Sequence, residues 1–121
     1  MAELAQQGTS STIATEHKSG RYFLIALRGE WDLYNRPELE QALLAAEAAA
    51  ESLVVIDLSH ATFIDSSVLG ALVEARKRLQ ERVKIAVLAR DRQIRKVFEI
   101  TGLDGVFAIH ESLDEVTPPS I

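Results

Sequence analysis

Cysteine is absent from this chain of 121 residues, which excludes disulfides and thiolate metal sites. Histidine is scarce, and His17, His60 and His110 are scattered without the spacing of a ligand set. Cations are outnumbered. Thirteen Lys and Arg face eighteen Asp and Glu, a formal charge of −5. That balance argues against nucleic acid or an anionic membrane as partner, because binding phosphates rewards clustered cations. No apolar run approaches the ~20 residues a membrane helix needs. No cationic start followed by an apolar stretch marks a signal peptide in residues 1–11. No GxxxxGK(S/T) or GxGxxG loop is present, so neither a nucleotide site nor a cofactor is expected. These absences leave a cytoplasmic globular domain as the simplest reading.

What is present suits one domain with a substantial core: 47% of the residues are hydrophobic. Residues 1–11 carry no period and read as a lead-in. Residues 12–17 suit a short edge strand. His17-Lys18-Ser19-Gly20 reads as a turn, and a strand over Tyr22 to Arg28 completes a hairpin. Phe23, Ile25 and Leu27 lie on one face of that strand. Tyr22, Leu24 and Ala26 make the other face apolar as well, which implies a central position in a sheet. Gly29-Glu30-Trp31-Asp32 reads as a polar loop. Asn35 and Glu38 have the spacing of a capping box, Tyr34 and Leu39 that of a hydrophobic staple, and Pro37 suits a first helical turn. Leu39, Ala42, Leu43, Ala46 and Ala50 form the inward stripe of the helix that follows.

The pattern then repeats. Leu53 to Leu58 is a buried strand. A helix over about 66–80 carries its apolar stripe through Val68, Leu72, Ala75 and Leu79. Val83 to Ala89 is a third buried strand. Asp91 caps a helix whose inward residues are Ile94, Val97 and Phe98, and Gly102 ends it. Val106 to Ile109 is a short last strand, Glu111 to Val116 a helical turn, and 117–121 a tail. The order β-β-α-β-α-β-α-β-α predicts an α/β fold: a mixed, mainly parallel sheet with an N-terminal hairpin and flanking helices.

The segment Phe63-Ile64-Asp65-Ser66-Ser67-Val68-Leu69-Gly70 carries the most chemistry. It sets two hydroxyls and a carboxylate where a helix begins. Asp65 or Ser66 is the expected N-cap. Two readings of the serines stand. Either both only satisfy first-turn amides, or one accepts a phosphate, which the free amides and the positive end of the helix dipole tolerate. Val68 falls on the core stripe by spacing, while Val68 and Leu69 point about 100° apart and are not expected to be equally buried. A hydrolase reading fails, because Ser66 lacks the glycine-flanked nucleophile elbow and His60 lacks an orienting acid. A receiver domain built on Asp57 is one βα unit short. Asp32 either caps its loop or lines a partner surface. Arg90, Arg92, Arg95 and Lys96 form one local basic cluster, read as a solvated helix face.

Gly29-Glu30-Trp31-Asp32, Ile56-Asp57-Leu58-Ser59, Phe63 to Gly70 and Val97-Phe98-Glu99-Ile100-Thr101-Gly102-Leu103 together resemble the STAS family over about residues 12–116. Within it, they resemble the stand-alone bacterial anti-sigma factor antagonists. The resemblance implies a non-enzymatic switch. The unmodified protein binds an anti-sigma factor, a serine kinase of the GHKL type, and so frees a sigma factor. Phosphorylation of Ser66 ends the complex, and a metal-dependent Ser/Thr phosphatase reverses the modification. Asp32, Asp65, Ser66, Ser67 and Val68 would form the partner surface. Val68 stands where many relatives carry glycine, and its bulk beside Ser66 is expected either to bear on which kinase docks or to mark a member that is never phosphorylated. The alternative role is a constitutive adaptor in a stressosome-like scaffold or a lipid-transport ABC system. A homodimer through strand edges or the first helix is left open.

Overall fold

The computed structural model describes residues 11–117. The expected lead-in and tail fall outside the described residues, apart from Ser11 and Thr117 at their inner ends. Strand β1 (Thr12–Lys18) turns at Gly20, whose φ of +77° suits a residue without Cβ, and pairs antiparallel with β2 (Tyr22–Trp31). Strands β3 (Leu53–Ile64), β4 (Lys84–Leu88) and β5 (Ala108–His110) follow in parallel, in the spatial order β1-β2-β3-β4-β5. Helices α1 (Arg36–Ala49), α2 (Ser66–Leu79) and α3 (Arg92–Ile100) connect the parallel strands. A 3₁₀ turn at Leu113–Glu115 stands where the last helical turn was expected.

Each crossover steps one strand in the same direction. Right-handed connections therefore place all three helices on one face of the sheet. The packing agrees. Leu39 and Leu43 of α1, Leu72 of α2, and Ile94 and Phe98 of α3 share one core with Ile25, Leu27, Ile56 and Val87 of the strands. The opposite face is a smaller cluster of Tyr22, Leu53, Val55, Ala86 and Leu88, with Leu113 and Val116 against it. Both faces of β2 are thus covered, as its double apolar pattern predicts.

Two elements are longer than the sequence suggests. β2 runs through Gly29 and Glu30 to Trp31, and β3 runs six residues past Leu58. β4 stops pairing at Leu88, opposite Asp57, and β1 begins at Thr12, opposite Arg28, so past Arg28 the β2–β3 pair continues alone as a two-stranded ribbon. Its register shifts twice. Arg28 pairs with His60 and Glu30 with Phe63, each shift placing one extra residue in β3. The Asp57 carboxylate accepts from the Ser59 amide at 2.9 Å across the first bulge. The segment read as loop at 29–32 is therefore strand as far as Trp31, which is fully buried and donates its Nε1–H to the Arg28 carbonyl at 2.9 Å.

The start of α1 also departs from expectation. Asn35 makes no side-chain cap bond to the helix. Its Oδ1 accepts from the Asp32 amide at 2.8 Å and its Nδ2 donates to the Glu30 carbonyl at 2.9 Å, so the side chain closes the preceding loop instead. Tyr34 is 94% exposed, so it forms no staple with buried Leu39. Ala50 leaves the inward stripe. It is the exposed C-cap, with φ of +59°.

Candidate functional site

The ribbon ends at the start of α2 and fixes it. The Asp65 amide donates to the Trp31 carbonyl at 3.2 Å, which sets Asp32 beside Asp65. Asp65 is the N-cap, in extended conformation. Its Oδ1 accepts from the Ser67 amide at 2.9 Å, from the Val68 amide at 3.4 Å and from the Ser67 hydroxyl. Of the two expected caps, Asp65 fills the role and Ser66 does not.

The two serines differ as a result. Ser67 is half-buried, with its hydroxyl committed to Asp65. Ser66 is exposed, and among the described residues its Oγ has no hydrogen-bond partner. Ser66 is thus the hydroxyl available to an incoming group. Val68 is fully buried and Leu69 nearly so, both in the core that holds Trp31 and Ile64. The expectation that they would differ in burial is corrected. So is the expectation of Val68 at the partner surface: the isopropyl group fills the core beneath the helix start and offers nothing to a docking molecule.

Asp32 belongs to a tight loop. Its Oδ1 accepts from the Tyr34 amide at 2.9 Å and its carbonyl from the Arg36 amide at 3.0 Å. That loop carries Leu33, 67% exposed, and Tyr34 at the end of the ribbon, where half-exposed Phe63 also stands. Three apolar side chains thus lie at the same end of the sheet as Ser66.

Two residues with no expected structural role, Arg36 and Gly70, meet here. Arg36 opens α1. Its Nε donates to Glu40 at 3.1 Å and its Nη2 to Glu74 of α2 at 2.8 Å. A Cβ on Gly70 would stand 3.3 Å from Arg36 Nη1, so the missing side chain lets the guanidinium lie against α2. The Glu40 bond first, and the Glu74 bond after it, raise the Arg36 pKa above its ordinary value and outweigh the cost of desolvation. A second pair, Glu47 with Arg78 at 3.1 Å, joins the far ends of α1 and α2. The i,i+4 spacing of Arg36 and Glu40 was the available sequence signal for the first of these contacts.

The basic cluster lies elsewhere. Arg92, Arg95 and Lys96 line a depression on the outer side of α3 that none of the residues around Ser66 borders. Arg90 donates to the Glu111 carbonyl at 3.2 Å. Among the described residues no group of three or more acidic or histidine side chains is placed to hold a metal, and no helix is long and apolar enough to cross a membrane.

A sequence profile of the STAS domain matches residues 12–116. This chain belongs to the STAS family. Among curated STAS relatives, an anti-sigma-B factor antagonist of Staphylococcus epidermidis is 29% identical over 94 residues, covering 77% of this chain and 87% of the relative. The crystal structure of an anti-sigma factor antagonist from Mycobacterium paratuberculosis superposes with a TM-score of 0.80 at 33% identity, covering 88% of this chain and 90% of that one. The Bacillus cell fate determinant SpoIIAA, solved in its phosphorylated form, shares the fold with a TM-score of 0.67 at 20% identity, over 87% and 96% of the two chains.

Proposed function

We propose that this STAS protein is a cytoplasmic anti-sigma factor antagonist. In its unmodified form it binds an anti-sigma factor that is also a serine kinase of the GHKL type, and so releases a sigma factor. The kinase transfers the γ-phosphoryl group of its magnesium-bound ATP to Ser66 Oγ, with loss of the hydroxyl proton and release of ADP. The modified protein dissociates, and a metal-dependent Ser/Thr phosphatase restores the hydroxyl by hydrolysis. The chain itself is not an enzyme in this reading. It supplies an acceptor and a surface.

The observation that carries the proposal is the unequal engagement of the two serines. Asp65 holds the Ser67 hydroxyl and the first-turn amides, which leaves Ser66 Oγ exposed and unbonded at the helix start. A phosphate there adds about −1.5 to −2 charges without disturbing the cap. It lies beside Asp65 and Asp32, so it brings bulk and like charge to the surface that a partner covers. The names of the curated and structural relatives support the same reading.

The test is a pull-down from the host lysate with wild type, Ser66→Ala and Ser66→Asp as parallel baits. An anti-sigma kinase held by wild type and Ser66→Ala and lost by Ser66→Asp is the expected result. Equal retention of the same partners by all three, transporter or scaffold subunits among them, would make the chain a constitutive adaptor.

A further inference from the structure

Ser66, Gly70 and Glu74 are four residues apart along α2, and such residues form one ridge on a helix surface. Arg36 lies across that ridge. It bonds Glu74 through Nη2, and its Nη1 rests where a Gly70 side chain would stand. Nη1 is also the nitrogen with no hydrogen-bond partner among the described residues; Nε and Nη2 are both engaged. Neighbouring Cβ positions at i and i+4 are about 5–6 Å apart, so the Ser66 Cβ lies within about 9 Å of that nitrogen. A phosphate on Oγ reaches outward from Cβ, and the arginine side chain is long and 20% exposed.

We propose that the Arg36 guanidinium is the built-in receptor of the Ser66 phosphate. The inference rests on Ser66 being the modified residue and adds how the modified state is held. On phosphorylation the guanidinium slides one turn up the ridge, gives up Glu74 and takes the phosphate through its fork. Arginine pairs with phosphate in this bidentate way, and the dianion outcompetes a single exposed carboxylate. The charged groups facing the phosphate are then Arg36 from α1, Asp65 at the α2 cap and Asp32 from the preceding loop, one cation against two carboxylates. Glu40 and Glu74 compete for the cation.

The experiment uses the full chain with phosphoserine genetically installed at position 66, and follows the second ionisation of the phosphate by ³¹P NMR. In wild type that ionisation should fall at least about one pH unit below its value in Arg36→Gln, as an opposite charge at close range requires. Arg36→Lys should lie between them. Glu74→Gln, which keeps Arg36 and removes its competitor, should lower the value further. Far-UV circular dichroism establishes that each variant is folded. Equal midpoints in wild type, Arg36→Gln and Glu74→Gln would overturn the clamp. No partner takes part in this titration. A failed clamp is therefore separate from a failed switch, which would show instead as undiminished partner binding by the phosphoserine protein.

Discussion

The Asp65 amide bonds the Trp31 carbonyl at 3.2 Å, and this contact joins the end of β2 to the first turn of α2. Through it the loop of Asp32 and the hydroxyl of Ser66 occupy one end of the sheet. The same aspartate turns its side chain the other way, to the Ser67 and Val68 amides, and so separates a structural serine from a free one.

Asp65→Ala removes an N-cap acceptor and should lower stability by about 1–2 kcal/mol in urea unfolding. Ser66→Ala removes a hydroxyl with no partner among the described residues and should change stability by less than about 0.5 kcal/mol. A larger loss for Ser66→Ala than for Asp65→Ala would reverse the assignment of the cap.

Val68→Ala opens space in a closed core and should cost about 2 kcal/mol. The variant that remains folded should bind its partner as wild type does, because no part of Val68 reaches the surface. Weakened binding without lost stability would return Val68 to the interface.

The hairpin turn is tied to the loop between α1 and β3 by Glu51. Its Oε2 lies 2.7 Å from His17 Nε2 and accepts from the Gly20 amide at 3.0 Å. The His17 bond foremost, then the amide, hold the Glu51 carboxyl below its ordinary value of 4.5. A carboxylate with a depressed folded-state pKa stabilises the protein above the unfolded value, and that stabilisation is lost as pH falls through the folded one. Wild type should therefore lose stability below about pH 4.5 more steeply than Glu51→Gln, in urea midpoints measured from pH 7 to pH 3. Parallel curves would show that the contact does not persist in solution.

The sheet, its hairpin and all three helices were legible because each apolar run kept a clean period and a capping or breaking residue at its ends. The ribbon was not. Two extra residues in β3 break the alternation, so the buried Leu58, Ala61 and Ile64 fall three apart, which reads as neither strand nor helix. Trp31 beside Gly29, Glu30 and Asp32 likewise resembled a polar loop. Asn35 and Glu38 matched a capping box by spacing, yet the Asn35 side chain found better-placed partners in its own loop. Ser66 and Asp65 were visible as a pair. Which of them caps the helix depended on the extended conformation of Asp65, which the ribbon imposes. The contact of Arg36 with Gly70 and Glu74 joins positions 34 and 38 residues apart in sequence, and no local pattern announces it.

The most direct measurement is calorimetric titration of the captured anti-sigma factor with the unmodified chain and with the chain carrying phosphoserine at position 66. A phosphate switch at Ser66 requires tight binding by the first and at least about tenfold weaker binding by the second, a difference of 1.4 kcal/mol or more. Equal affinities would contradict it and leave Ser66 an exposed residue at a helix start.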